Sequence, residues 1–155
     1  MSADSRVTEL NLQLPPAPKP GGVYQPVVIH NGLAYVSGHG PLQNDETYIV
    51  GRVGETMDTI EANAAARQTG LAILATLKSQ LGSLDRVERL VRSFGMVNAT
   101  SDFAEHPQVI NGYSELMGEV FGPEAGLGAR SAIGMGSLPG GIAVEIEAVF
   151  ALKPE

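Results

Sequence analysis

Arg130 opens an apolar stretch near the C-terminus, and Glu145 and Glu147 interrupt a second one beyond Pro139-Gly140-Gly141. Charges inside apolar strands are rare unless they are paired or bind something. An arginine presents a planar fork of donors that matches a carboxylate or phosphate bidentately. A partly buried glutamate can position or activate a water. Together these residue types point to a small anionic ligand handled by water.

The elements that must carry them follow from periodicity. Gly128 to Phe150 reads as two strands about the Pro-Gly-Gly turn. Paired as a hairpin, they would set Arg130 opposite residue 149 or 150. That is about five positions from Glu145, or roughly 16 Å at ~3.3 Å per residue. One small acid could not bridge that gap, so the two groups would meet across a subunit boundary. Alternation puts Arg130, Ala132, Gly134 and Gly136 on one face of the first strand. It puts Glu145 and Glu147 on one face of the second.

Upstream, Val23 to Ser37 reads as strand, Asn31-Gly32 turn, strand, the strongest short-range hairpin signal. Tyr48 to Val50 is a third short strand candidate. Thr56 to Leu81 carries Ile60, Ala64, Arg67, Leu71, Leu74, Leu77 and Leu81 at spacings of three and four, predicting a helix with that stripe in the core. Thr56 or Asp58 would cap its start and Gly82 its end. Arg86 to Asn98 reads as a strand, and Phe103 to Phe121 as a second helix with Pro107 in its first turn and Gly122-Pro123 as its stop. Residues 1–22 end in a proline-rich run that cannot be helical and read as an extended lead-in to a single domain spanning residues 23–155. The order predicts an α+β fold in which two helices cover one face of a mixed sheet. The other face, carrying charges and small residues, would meet another subunit or a ligand.

Composition limits the chemistry further. The 155 residues are 43% hydrophobic and carry a net charge of −7, enough for one core and a poor match to nucleic acid, which needs clustered Lys and Arg. There is no cysteine, hence no disulfide, thiolate nucleophile or Cys-based zinc site. No apolar run is long enough to span a membrane, and the N-terminus lacks the layout of a signal peptide, so a cytoplasmic protein is expected. His30, His39 and His106 form no local metal-ligand spacing with the carboxylates, so no metal is expected. His30 and His106 read as solvent-facing. His39 reads as a half-exposed loop residue that could also shuttle a proton.

Ala129-Arg130-Ser131, Leu138-Pro139 and Val144-Glu145-Ile146-Glu147 together resemble the RidA (YjgF-like) family of reactive-intermediate deaminases. The likeness extends to Tyr24 with Ser37-Gly38 in the first hairpin, and to Val109-Ile110-Asn111-Gly112-Tyr113 in the second helix. The resemblance implies a chorismate-mutase-like fold and a homotrimer with ligand clefts between subunits. It implies cofactor-free hydrolysis of small enamine or imine acids, of the 2-aminoacrylate type, to 2-oxo acids and ammonia. Arg130 would hold the substrate carboxylate and Glu145 would activate water; family position, rather than physics, favours Glu145 over Glu147. Tyr24, Ser37, Gly38, His39 and Asn111 would line the cleft, with Ala132 contributing backbone. Gly128 and His39 depart from the pattern of well-studied members, and the lead-in makes this a longer form. The same residues would also serve a non-catalytic trimeric binder of small 2-oxo acids. A ribonuclease, described for some members, has little support in the charge.

Overall fold

The computed structural model describes residues 1–155. Its first hairpin forms where the sequence predicts. Strands β1 (Val27–His30) and β2 (Leu33–His39) pair antiparallel about Asn31 (φ 51°) and Gly32 (φ 73°), the two left-handed residues that a tight two-residue turn requires. Helix α2 (Thr59–Leu81) starts later than Thr56, because Asp58 and Glu61 close a reciprocal capping box. The Glu61 N–H donates to Asp58 Oδ1 and the Asp58 N–H donates to Glu61 Oε2, each at 2.8 Å. Gly82, at φ 81°, ends the helix. Strand β3 (Val87–Asn98) and helix α3 (His106–Phe121) follow, then β4 (Ala129–Met135) and β5 (Val144–Leu152). Tyr48 and Val50 make only single bridges, to Leu42 and Ile142, so the third strand predicted there does not form.

The sheet order is β1-β2-β5-β3-β4. β5 runs antiparallel to both β2 and β3, whereas β4 runs parallel to β3. The two C-terminal strands therefore do not form a hairpin, and the expected 16 Å separation within one falls with it. α3 serves as the crossover that a parallel pair demands. Residues 136–143 then carry the chain past the end of β3, where the Asn98 N–H donates to Ala143 O at 2.9 Å and Asn98 Nδ2 donates to Ile142 O at 3.2 Å. The long central strand offers two edges, and one goes to each of its C-terminal neighbours.

Both long helices cover one face of the sheet. The buried side of α2 is lined by Ala62, Ala65, Ala66, Ile73, Leu74 and Leu77, facing Val109, Ile110, Tyr113, Leu116 and Met117 of α3 and Val144, Ile146, Ala148 and Phe150 of β5. Full burial of each large aliphatic side chain contributes about 1.5–3 kcal/mol. The predicted stripe is only partly the core: Ile60 is 81% exposed, Ala64 is exposed, and Arg67 forks onto Glu119 at 3.3 and 2.8 Å. Alanine, rather than leucine, is what the close face needs. Gly112 of α3 lies directly against the Asn63 carbonyl of α2, where a Cβ would overlap it, and Gly70 faces Leu116, Tyr113 and Met117. Asn63 Nδ2 also donates to Gln108 O at 2.8 Å.

The opposite face has no helix. Val28, Tyr35, Phe94, Met96, Glu145, Glu147 and Val149 share it through their register, and Val28 and Tyr35 remain about half exposed. Arg130, Ala132 and Gly134 do not join them. They pair with Ser93, Gly95 and Val97, whose side turns toward the helices, so the Arg130 face expected to be open is the helix face.

The lead-in is not wholly extended. A short helix α1 (Ala3–Glu9) buries Val7 in the core, and Arg6 Nε donates to Glu119 O of α3 at 3.0 Å. Leu12 and Leu14 also pack on the core.

Candidate active site

The residues singled out in the sequence fall into two groups on opposite faces of the sheet. The first surrounds Glu145. A register shift between Val36 and His39 releases Ser37 and Gly38 from regular pairing with β5. The Ser37 hydroxyl donates to Gln25 O at 2.6 Å, which ties the strand end to the segment after Tyr24. Gly38 leaves room for the Glu145 carboxylate that lies over it, and a Cβ there would make that carboxylate shift. Tyr24, Ser37, Gly38, Tyr48 and Glu145 line one cavity of about 650 Å³, together with Glu147, Lys19 and Pro139.

Glu145 is half-buried and takes part in none of the chain's ion pairs. Burial, and then the charge of Glu147 two residues on, raise its pKa above the ordinary glutamate value. Glu147 is exposed. A carboxylate raised in this way is a stronger base than a solvated one, which suits proton transfer near neutral pH. This physical difference separates the two glutamates where spacing alone did not.

His39 is a correction to the sequence reading. It lines the Glu145 cavity as expected, but it is only 6% exposed rather than half exposed. Nδ1 lies 2.6 Å from Ser37 O and Nε2 lies 2.8 Å from Thr76 Oγ1 of α2, so both ring nitrogens are committed. Burial lowers its pKa, with the Ser37 contact opposing. It stands in β2 rather than in a loop, and it fastens the irregular end of that strand to the helix layer.

The second group surrounds Arg130 at the sheet edge. Its guanidinium donates to Ser114 Oγ at 2.9 Å, to Asn111 Oδ1 at 2.8 Å and to Pro107 O at 3.2 Å, all on α3. Every acceptor is neutral, and no carboxylate pairs with it. The arginine is therefore oriented without being neutralised, as a receptor for an anion should be. Asn111 belongs to this group because it aims the arginine. Ala132, two residues along β4, packs partly against the core. His106 is half-buried rather than solvent-facing, its ring edge-on to Phe103 at 5.1 Å and over Gly134. The sequence reading missed Ser114, whose signal was its place one turn after Asn111 on the same helix face. It also missed Tyr48 and Lys19, which only the tertiary fold brings to the cavity.

The chain matches known proteins over nearly its whole length. Residues 4–140 fit the family model described as "YjgF/chorismate mutase-like, putative endoribonuclease". The protein TCP17 of Trypanosoma cruzi is 36% identical over 149 residues, which cover 96% of this chain and 93% of that one. A crystal structure of a protein of unknown function from Agrobacterium tumefaciens is 37% identical, with a TM-score of 0.89 over 97% of this chain and 92% of its own. RidA from the Antarctic bacterium Psychrobacter is 26% identical, with a TM-score of 0.61 over 88% of this chain and 94% of its own. The chain belongs to the YjgF/RidA family, and its α+β chorismate-mutase-like fold is that of the family. No helix is long and apolar enough to cross a membrane.

Proposed function

We propose that the protein is a cofactor-free deaminase of small enamine and imine acids, acting at clefts between the subunits of a homotrimer. The observation that carries this reading is the division of the site. Arg130, aimed by Asn111 and Ser114, and Glu145, seated on Gly38, lie on opposite faces of one sheet. Neither can reach a ligand held by the other within one chain. A second copy docked on the uncovered face would bring its Arg130 edge to the Glu145 cavity, and cyclic symmetry closes three such contacts.

In that cleft Arg130 grips the substrate carboxylate. Glu145 takes a proton from water as the oxygen bonds to the imine carbon, giving a tetrahedral carbinolamine. That proton passes to the nitrogen, the hydroxyl proton follows it by way of Glu145 as the carbonyl forms, the carbon–nitrogen bond breaks, and ammonia leaves the 2-oxo acid. Tyr24 and Tyr48 wall the cavity. RNA cleavage, which the family description mentions, fits poorly with a net charge of −7.

The test is an assay in which an amino-acid oxidase releases imines and semicarbazide competes for them. The wild type should accelerate 2-oxo acid formation over buffer, and Glu145→Gln should lower that rate by ~10²–10⁴ with ligand affinity nearly unchanged. Arg130→Lys keeps the charge but loses the fork, so it should weaken binding and turnover together. A wild type no faster than buffer overturns the catalytic reading. If it still bound 2-oxo acids, the protein would be a trimeric small-acid binder.

A further inference from the structure

Before β1 the chain passes along the rim of the Glu145 cavity. Leu12 and Leu14 are packed on the core and Pro15 is buried, which anchors the near end of this strap. At the far end the Gly21 N–H donates to the Tyr24 hydroxyl at 3.1 Å. Between these anchors lie Pro18, Lys19 and Pro20, all lining the cavity. Each proline fixes its own φ, and Pro20 also confines Lys19 to extended backbone. The strap therefore presents Lys19 from a stiff support.

Lys19 is the only one of the ten basic residues that lines this cavity. The four ion pairs of the chain are Arg6–Glu9, Arg67–Glu119, Lys78–Asp4 and Arg86–Glu155, and none engages it. The cavity is also large for a three-carbon acid. Six non-hydrogen atoms at about 30 Å³ each, a water's share of the liquid, take roughly 180 Å³. The space available is about 650 Å³.

From the spare room and the spare cation, we propose that Lys19 is a specificity-determining residue that receives a second anionic group of the ligand, so that the preferred substrates are imines of amino dicarboxylic acids. The inference rests on the reading of this cavity as half of an acid-binding cleft. In it, Arg130 of a neighbouring subunit takes the carboxylate next to the reacting carbon. Lys19 takes the carboxylate at the other end of the chain.

The experiment is a calorimetric or NMR titration of 2-oxobutanoate and 2-oxoglutarate into wild-type protein, Lys19→Met and Lys19→Arg at low and moderate salt. Lys19 is exposed, so these changes leave the core untouched. The diacid should bind the wild type about two- to fivefold more tightly than the monoacid, less so as salt rises, the range expected of a solvent-accessible charge pair. Lys19→Met should erase that preference while leaving monoacid affinity intact, and Lys19→Arg should retain it. Monoacid binding with no preference in the wild type overturns the role of Lys19 and leaves the cleft standing. Equal weakening of both acids by Lys19→Met also overturns it, since the lysine would then serve only to offset Glu145 and Glu147. Failure of both acids to bind the wild type removes the cleft and Lys19 together.

Discussion

Arg130 and Glu145 flank the same strand on opposite faces of the sheet: Arg130 sits beside Ser93 and points toward α3, while Glu145 sits beside Met96 and points away from both helices. If they act together, they act from different copies of the chain. Mixing Arg130→Ala with Glu145→Gln subunits, each inactive alone, should then restore activity. In the proposed homotrimer every mixed assembly holds one intact pairing, so random equimolar exchange should recover about a quarter of the wild-type rate. The rate of the mixture is measured after unfolding and refolding together. No recovery, in mixtures verified to exchange subunits, would mean that the two residues do not share a site.

Gly38 supplies a second expectation. A methyl group at that position occupies the space of the Glu145 carboxylate and must displace it. Gly38→Ala should fold, because the residue lies at an irregular strand end, yet lose about a hundredfold in turnover, the penalty typical of a catalytic group moved by an ångström. Thermal unfolding and the trap assay together check this. Unchanged turnover would show that the position of Glu145 is immaterial.

The acid side of the pH–rate profile should report Glu145. It acts as a base only when ionised, so its raised pKa places the limb above the ordinary carboxylate range. Burial is the larger cause and the Glu147 charge the second. Glu147→Gln should therefore shift the limb to lower pH without reaching the ordinary value, and leave the plateau rate nearly unchanged. A limb that stays put would assign it to another group.

His39 makes a prediction about stability. Its ring is held neutral by burial, while the unfolded chain protonates near the ordinary 6.5. The unfolded state then binds more protons, so stability is present above that pH and is lost as pH falls from it toward the depressed folded value. Urea midpoints compared at neutrality and about pH 5.5 should fall for the wild type and fall less for His39→Gln. Parallel losses in both proteins would place the acid sensitivity elsewhere.

What could be read from the sequence was mostly local. The Asn31-Gly32 hairpin, the Asp58 cap and the Gly82 stop each follow from neighbouring residues, and each forms. The pairing of β4 and β5 was not local. Pro139-Gly140-Gly141 looks like a hairpin turn, but β3 offers each strand a separate edge, and the connection is long enough to pass over it. That choice also reversed the face of Arg130, because pairing with Ser93 aligns it with the helix side. α1 escaped notice because seven residues hold little helical preference alone and depend on packing against α3. The chemistry of Arg130 and Glu145 was legible as residue type, whereas their companions Ser114, Tyr48 and Lys19 come from segments distant in sequence.

The contact of Gly112 with the Asn63 carbonyl has a consequence for how the chain tolerates change. Pro107, Asn111 and Ser114, the three residues that steer the guanidinium, all ride on α3, and the spacing of α3 from α2 is set at that glycine. The outer side of α2, with Ile60 and Ala64 in solvent, can drift through many substitutions without disturbing the arginine. A single added methyl at 112 would be felt at its tip instead. In a mutational scan scored by turnover, the sensitive positions should therefore follow the seam between two helices that touch no substrate, and the nearby surface should tolerate almost anything.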